Sequence, residues 1–470
     1  MDHSKPRARV GVFAVGLAAY WPQFPGLKER LETYLAEVER RIAGFQAELV
    51  RGGLVDTAPA ARQIGELFAR QGVDLLICHT ATYATSAQVL PIVQQTRAPV
   101  LVLNLQPAAA LDYERTDTAE WLANCSACCV PEISNAFARS GISFHVVSGM
   151  LYEDPKAWTQ IEQWCRAASA ARALRTSRLG FLGHTYPGML DMYSDFTMVH
   201  GQLGAHVEVL EMCDLARRVA RVTEAEIERK LEETTALFEL DPGVAPEDLR
   251  WAARVAVGLD RLVADFDLDG LAYYYRGLDG NEYERLAAGM ILGNSLLTAR
   301  GIPASGEGDL KNCIAMLLMD RLGAGGSYTE FYAMDFRDHF VLMGHDGPGH
   351  IAISDRRPVL RSLQLYHGKR GYGISVEFNV KTGPVTILGM TQTAQGRFKF
   401  VAAEGESLPG PILRIGNTNS RIRFSLPPAE FVNRWCAEGP THHCALGVGH
   451  RRGEIEKLAA LLQVPLAWVG

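Results

Sequence analysis

The chain has 470 residues, of which 47% are hydrophobic and 21% charged, values typical of a globular protein with two or three domains. Its 47 basic and 53 acidic residues leave a formal net charge of -6, which argues against nucleic acid as a partner. No apolar run approaches the roughly 20 residues that span a bilayer, so no membrane association is expected. The nine cysteines, an odd number, predict reduced thiols and a cytoplasmic protein.

The first part of the chain alternates short apolar runs with amphipathic segments. Basic residues precede the apolar run 10–21 and superficially resemble a signal peptide, but a β–α rhythm follows directly and favours a first buried strand in VGVFAV. Residues 26–49 predict one long helix, because their apolar positions recur every three or four residues. Further strand and helix patterns follow up to residue 175, which indicates a parallel sheet covered on both faces.

A second α/β pattern begins at SRLGFLGH. Beyond about residue 336 the sequence pattern changes and predicts short strands joined by Gly, Pro and charged turns. One of these strands is expected in GHIAIS, residues 349–354. The sequence therefore predicts two Rossmann-like, doubly wound α/β domains followed by a mainly antiparallel β-rich domain. The predicted boundaries are residues 1–175, 176–335 and 336–470, the central domain carrying metal-ligand carboxylates.

Several common catalytic motifs are absent or weak. No phosphate-binding G-x-x-x-x-G-K-[ST], no G-x-G-x-x-G after the first strand and no G-x-S-x-G elbow occurs. CSACC, residues 125–129, contains one C-x-x-C spacing but no second pair or histidine at zinc-ligand spacing. A redox dithiol remains open there, although small buried residues near a helix start account for the pattern more simply.

Carboxylates and histidines in the second half of the chain form the strongest candidate site. GEGD places Glu307 at a helix start, GGSYTEFY contains Glu330, MGHDGPGH contains His345 and His350, and GPTHHC contains the pair His442 and His443. Each lies on its own predicted loop or strand end, and together they make a plausible oxygen and nitrogen ligand set for Mn²⁺, Co²⁺ or Mg²⁺. From spacing alone, unrelated polar turns remain the alternative interpretation.

The segments GEGDLK, GGSYTEFY, the glycine–histidine loop and GPTHHC resemble, in this order, the metal-site segments of the L-arabinose isomerase and L-fucose isomerase superfamily. EFNVKTGPV, between the last two, is similar to a strand-turn-strand of the arabinose isomerases. The resemblance implies that Glu307, Glu330, His345 and His443 surround one Mn²⁺. Asp309, His442 and His350 are then expected to orient these ligands or to contact substrate.

The resemblance further implies an aldose–ketose isomerase that acts on a monosaccharide through an enediolate, with Glu307 and Glu330 as both ligands and acid/base pair. It implies a homo-oligomer, a trimer or hexamer, with active sites at subunit interfaces. Two alternatives stay open. One is a sugar-binding protein that has lost catalysis, and the other is a metal-dependent epimerase or aldolase.

Two departures from the arabinose isomerases leave the sugar undetermined among pentoses, 6-deoxyhexoses and anionic sugars. The family's Asn-Gln-Thr-Ala-His segment, which touches substrate, is NCSAC here with Cys128 at the histidine position, and the first-strand loop is GLAAYW instead of a Ser-Gln-His stretch. Lys369 and Arg370 lie in the glycine-rich HGKRGYG and could meet an anionic substituent of a sugar. A solvated hairpin tip is the alternative for those two cations.

Overall fold

The computed structural model describes residues 7–45, 47–276, 281–363, 373–413 and 415–470. The chain divides into two compact units, Met1–Ala173 (unit 1) and Leu174–Gly470 (unit 2). Within the described residues, no helix is both long enough and apolar enough to cross a membrane. The three-domain division expected from the sequence stays a prediction.

Unit 1 is built on one parallel sheet. Its strands are β1 (Arg9–Val15), β2 (Glu48–Val55), β3 (Leu75–Thr80), β4 (Val100–Gln106) and β5 (Phe144–Met150), and its helices are α1 (Leu27–Ala43), α2 (Ala58–Gln71), α3 (Leu90–Thr96), α4 (Thr118–Ala123), α5 (Cys129–Arg139) and α6 (Pro155–Arg175), whose last residues fall in unit 2. The strand order is β2-β1-β3-β4-β5 with every pair parallel. Strands β1 and β3 are buried along almost their whole length, as a sheet covered on both faces requires.

The prediction of one long helix over residues 26–49 is wrong at the C-terminal end of this segment. Helix α1 stops before Gly44, and residues from Glu48 onward form β2, the strand at one edge of the sheet. Strand β2 is mostly half-exposed and contains two glycines, one of which accommodates an irregularity in its pairing with β1. Its weak hydrophobic alternation therefore carried little strand signal.

Unit 2 contains more elements. Its strands are β6 (Arg178–Gly183), β7 (His206–Leu210), β8 (Glu239–Leu240), β9 (Gly270–Tyr274), β10 (Ala304–Ser305), β11 (Gly325–Asp335), β12 (Phe340–His345), β13 (Val359–Leu363), β14 (Gly373–Glu377), β15 (Gly383–Gln392), β16 (Phe398–Leu408), β17 (Thr418–Phe424), β18 (His443–Val448) and β19 (Leu466–Trp468). Its helices are α7 (Phe196–Met198), α8 (Met212–Ala220), α9 (Glu224–Leu237), α10 (Pro246–Phe266), α11 (Glu284–Ala288), α12 (Met290–Ala299), α13 (Leu310–Arg321), α14 (Pro428–Ala437) and α15 (Arg452–Leu462).

The first sheet of unit 2 is parallel, with strand order β10-β9-β6-β7. The chain leaves β10 through the short turn Gly306–Gly308 and then enters α13. That turn lies beyond the carboxyl ends of the parallel strands, where ligands commonly bind in α/β sheets. Together with unit 1, this sheet confirms the α/β expectation for the first two thirds of the chain.

The second large sheet of unit 2 is an antiparallel barrel. Its strand order is β15-β18-β11-β12-β17-β16, and an additional pairing between β15 and β16 closes the ring. Strand β19 pairs parallel to β16 outside this ring, and β8, β13 and β14 form a separate small sheet. The β-rich character expected for the last part of the chain is confirmed.

The prediction of a strand at residues 349–354 is wrong. His350 leads into a 3-10 helix, Ile351–Ile353, and the backbone N–H of His350 donates to Ser327 Oγ at 3.1 Å instead of joining a sheet. Gly349 approaches Phe378 so closely that a Cβ there would lie 2.6 Å from its ring. The chain after β12 therefore packs inward through a 3-10 helix and not as a strand.

Candidate metal centre

Barrel register brings three of the expected ligand residues together. Glu330 on β11 pairs with Gly344 of β12 on one side and with His443 of β18 on the other. His345 is the residue after Gly344 and ends its strand. The side chains of Glu330, His345 and His443 each offer a ligand atom within 4.8 Å of the others, and the two histidine Nε2 atoms are 3.2 Å apart.

The turn before α13 supplies two carboxylates to this region. Glu307 adopts a left-handed backbone (φ 59°), which is unusual for a residue with a side chain and typical of positions held by their surroundings. Gly308 follows with φ 73°, and a Cβ on it would lie 2.5 Å from the carbonyl oxygen of His184. The backbone N–H of Tyr186 donates to the Glu307 carbonyl at 2.9 Å. The segment after β6 therefore fixes the turn that carries Glu307.

Asp309 connects this turn to the barrel. Its Oδ1 accepts from the backbone N–H of Asn312 at 3.0 Å and so caps α13, while its Oδ2 lies 3.0 Å from His443 Nδ1. Both side chains are fully buried. Burial alone raises the pKa of Asp309, but the combined effect of its hydrogen bond to His443, the charges of His443 and Lys311 and the Asn312 N–H lowers the pKa. The ionised carboxylate accepts the Nδ1 proton of His443, which leaves Nε2 with its lone pair.

The lone pair of His443 Nε2 faces the hydroxyl of Tyr328, which donates to it over 2.8 Å. Tyr328 is fully buried, and burial raises the pKa of its phenol well above the usual value, so the hydroxyl keeps its proton. The tyrosine ring also packs against the His345 ring, with centroids 4.0 Å apart. Tyr328 thus fixes the orientation of both imidazoles.

Glu307 carries an unsatisfied buried oxygen. Its Oε2 is buried and makes no hydrogen bond to any residue that the structure describes, although it lies 3.7 Å from Nε2 of both His442 and His443. Burial by itself raises the pKa of Glu307, but the neighbouring histidines outweigh it and lower the pKa. A buried, ionised carboxylate oxygen without a hydrogen-bond donor is an unusual and costly arrangement in a protein.

His442 differs from its neighbour His443. Burial lowers its pKa, but the hydrogen bond to Asp191 and the interaction with Glu307 more than offset this and raise the pKa to about 10. Asp191 Oδ2 lies 2.7 Å from His442 Nδ1 and also accepts the His442 backbone N–H at 3.0 Å. His442 is therefore an imidazolium at neutral pH, unlike the neutral imidazole that metals require.

The donor set fits a divalent cation. The ligand atoms form two overlapping groups of three, one of Glu330, His345 and His443 and one of Glu307, His442 and His443, so that His443 belongs to both. Bonds of about 2.1 Å place neighbouring ligands of one ion about 3 Å apart, close to the 3.2 Å between the two Nε2 atoms. Burial lowers the pKa of His443, which favours the neutral form that binds metal.

Other expected residues lie elsewhere. His350 is buried but stands outside both groups, with Nε2 3.9 Å from Asp320 and neither ring nitrogen hydrogen-bonded within the described part of the chain. Asp309 lies beside His443, and His442 is itself a member of one ligand group; the orienting role of both stays a prediction. Lys369 and Arg370 lie outside the described residues.

Two residues of the centre were missed from the sequence. Tyr328 stands two positions before Glu330 in an ordinary apolar strand, and nothing in GGSYTEFY separates its hydroxyl from that of a core tyrosine. Asp191 lies 251 positions before His442 in the chain, in a loop without a recognisable motif. Only the folded arrangement brings these two side chains to the histidines.

Two known protein-family domains match the part of the chain that contains the candidate ligands. Residues 194–325 match the L-arabinose isomerase central domain, and residues 325–465 match the L-arabinose isomerase C-terminal domain. The two matches are contiguous and together cover more than half of the sequence. The chain belongs to the L-arabinose isomerase superfamily.

Its similarity to individual members is modest. It is 25% identical over 388 residues to an L-arabinose isomerase from Nocardioides sp., covering 79% of this chain and 76% of the relative. It is 24% identical to the L-arabinose isomerase of Acidothermus cellulolyticus, covering 91% of this chain and 87% of the relative. It is also 23% identical to a sulfoquinovose isomerase from Alkalicoccus urumqiensis, covering 64% of this chain and 67% of the relative. The resemblance inferred from the motifs is confirmed, and the chain is a divergent member of the superfamily.

Proposed function

We propose that this protein is a metal-dependent aldose–ketose isomerase that converts a monosaccharide through an enediolate. Glu307, Glu330, His345 and His443 would hold one divalent cation, with Mn²⁺ as the first choice and Co²⁺ or Mg²⁺ as substitutes. The observation that carries the proposal is the convergence of two carboxylates and two imidazoles, from four separate segments, within the two overlapping groups that share His443. Membership of a superfamily whose named relatives are sugar isomerases supports the same reaction class.

The reaction moves one proton between C1 and C2 and another between O1 and O2. A divalent cation, when bound, supplies Lewis-acid stabilisation of the negative charge that develops on the enediolate, typically several kcal/mol. The proton on carbon needs a base on one side of the sugar and the oxygens need an acid, each contributing roughly 10²–10⁴-fold. Glu307 and Glu330 are the carboxylates available for these two roles.

The surrounding residues set the protonation states of the proposed ligands and keep water away from them. Asp309 keeps His443 in the tautomer with a free Nε2 lone pair. The cationic His442 lies beside Glu307 and favours its ionised form, since an adjacent positive charge stabilises a carboxylate. Tyr328 and the barrel wall exclude water from the imidazoles, which are both nearly inaccessible to solvent.

The test is sugar isomerisation by Glu307→Gln and Glu330→Gln variants assayed with Mn²⁺. Each is expected to lose at least about 100-fold in kcat, because the amide neither accepts nor donates the proton. Glu232→Gln is the matched control, since Glu232 is an exposed glutamate in α9 of the same unit and lies outside both ligand groups. Wild-type rates in both site variants would refute the assignment of the acid/base pair.

Two other functions give different results in related assays. A sugar-binding protein without catalysis would bind sugar but show neither bound metal nor a chelator-sensitive thermal shift with Mn²⁺. A metal-dependent epimerase or aldolase would share the metal dependence, but its products would be an epimer or two shorter fragments. Metal analysis of the purified protein, followed by product analysis, separates the three.

The sugar itself is best found with a panel of pentoses, 6-deoxyhexoses and anionic sugars in the presence of Mn²⁺. The named relatives justify including L-arabinose and sulfoquinovose. If an anionic sugar is preferred, Lys369 and Arg370 are the first cations to replace, as the sequence places both in one glycine-rich loop. We further expect a cytoplasmic trimer or hexamer with active sites at subunit interfaces, which sedimentation measurements would test.

A further inference from the structure

The turn between α4 and α5 in unit 1 holds two cysteine sulfur atoms in contact. Cys125 Sγ and Cys128 Sγ lie 2.8 Å apart, and Cys128 Sγ also lies 3.5 Å from the Cys125 carbonyl oxygen. A disulfide bond is about 2.0 Å long, so the pair needs to close by only about 0.8 Å. The C-x-x-C spacing therefore places both thiols where small side-chain rotations would join them.

The two thiols differ in exposure. Cys128 is exposed and is the N-cap residue of α5, a helix of 11 residues. Cys125 is buried, and burial together with its contact to Cys128 raises the pKa of its thiol. An incoming reagent therefore meets Cys128 first, and Cys125 is placed to react with whatever forms there.

The third cysteine of the cluster is held away from this pair. Cys129 is fully buried, and its Sγ points at the carbonyl oxygens of Thr82 and Ser126, 3.4 and 3.3 Å away. None of the three cysteines belongs to a group able to hold a metal ion within the described residues. A zinc site is therefore unsupported here, and the local geometry favours a two-sulfur reaction.

We propose that Cys125 and Cys128 form a reversible intramolecular disulfide when the protein meets a small-molecule disulfide such as oxidised glutathione. The Cys128 thiolate attacks one sulfur of oxidised glutathione, forms a mixed disulfide and releases one glutathione thiolate. Cys125 then loses its proton and attacks Cys128 Sγ, which expels the second glutathione thiolate. Two protein thiols are oxidised, one disulfide is reduced to two glutathione thiols, and the two protons end on those thiols.

The experiment incubates the full-length protein with oxidised glutathione, alkylates the remaining thiols and analyses the tryptic peptide of residues 116–139, which contains all three cysteines. The wild-type peptide is expected to lose two hydrogens and to carry one alkyl group. When it is reduced with dithiothreitol and then alkylated again, it should carry three alkyl groups. Cys129→Ser should still lose two hydrogens. Cys125→Ser should instead accumulate the Cys128–glutathione adduct at least about tenfold above wild type, and Cys128→Ser should form neither product.

A second variant and a folding measurement control for a loss of stability in the Cys125→Ser variant. Cys125→Ala is made in parallel, because a serine hydroxyl at this buried position could destabilise unit 1, and the thermal unfolding of each variant is compared with that of wild type. A wild-type peptide that accumulates the glutathione adduct without losing two hydrogens would overturn the proposal. An intramolecular disulfide that persists in both Cys125 variants would overturn it as well, because it would show that Cys129 is the reacting partner.

Discussion

The two units each bury a histidine completely, and the two histidines have opposite surroundings. His79 of unit 1 lies on β3 with no exposed surface, and neither ring nitrogen makes a hydrogen bond within the described residues. His443 of unit 2 is equally buried, but Asp309 lies at its Nδ1 and the Tyr328 hydroxyl at its Nε2. The His79 imidazole is part of an apolar core, whereas hydrogen bonds at both ring nitrogens orient the His443 imidazole.

The pKa values show what this difference means. Burial lowers the pKa of His79 to about 4, and the nearby Leu103 backbone opposes this. Burial also lowers the pKa of His443, and here the Asp309 carboxylate opposes it. Both rings are neutral at pH 7, so the charge state alone does not mark a site. The mark is a carboxylate that assigns the tautomer together with further donor atoms around the remaining lone pair.

The largest expected effect separates these two histidines directly. His443→Gln removes a ligand atom common to both groups, so isomerase activity should fall at least about 100-fold and the stabilisation by Mn²⁺ should disappear. His79→Leu replaces an unpaired polar ring in an apolar core, so stability should stay level or rise while activity is unchanged. The measurements are kcat and the melting temperature with and without Mn²⁺. Equal losses in the two variants would mean that burial, and not ligation, explains the effect at His443.

A smaller effect is expected from the carboxylate that orients His443. Asp309→Asn retains the helix cap, since asparagine caps as well as aspartate, but removes the anionic acceptor for Nδ1. Mn²⁺ affinity should fall about 10–100-fold, as measured by isothermal titration calorimetry. Asp320→Asn is the matched control, because Asp320 is a mostly buried carboxylate in the same helix, paired with Arg321 and outside both ligand groups. A similar fall in affinity for Asp320→Asn would show that any buried charge in α13 matters equally.

Much of the fold was accessible from the sequence because its signals are local. The buried strand β1 and the alternation of strands and helices up to residue 175 were predicted from apolar runs and helical periodicity. The failures fall where tertiary contacts decide the conformation. Strand β2 is a half-exposed edge strand with a weak pattern. Residues 349–354 contain a 3-10 helix instead of a strand, because Ser327 accepts the His350 N–H and Phe378 packs against Gly349.

The candidate site divides in the same way. The residue types and their order along the chain were sufficient to identify the superfamily, which the domain matches confirm. The ligand assignment stays a prediction, but barrel register accounts for the proximity of Glu330 and His443, which are 113 positions apart and directly paired. The resemblance favoured His345 over His350 as the ligand, and of these two histidines only His345 lies in a ligand group among the described residues. Tyr328 and Asp191 were missed because their partners come from distant segments.

The smallest predicted effect concerns the Tyr328 hydroxyl, which donates a hydrogen bond to the His443 Nε2 lone pair. A cation that takes this lone pair must displace the hydrogen bond, whose net worth is about 0.5–1.5 kcal/mol. Tyr328→Phe should therefore leave Mn²⁺ affinity unchanged or tighten it by up to about tenfold, while the ring still packs on His345. Tyr332→Phe, at a second, half-buried tyrosine of β11, is the control for losing a phenol hydroxyl in this barrel wall. Titration calorimetry with Mn²⁺ decides the point. If Tyr328→Phe weakens binding more than tenfold and Tyr332→Phe does not, the hydroxyl supports the bound cation instead of competing with it, and the lone pair of His443 is not the ligand.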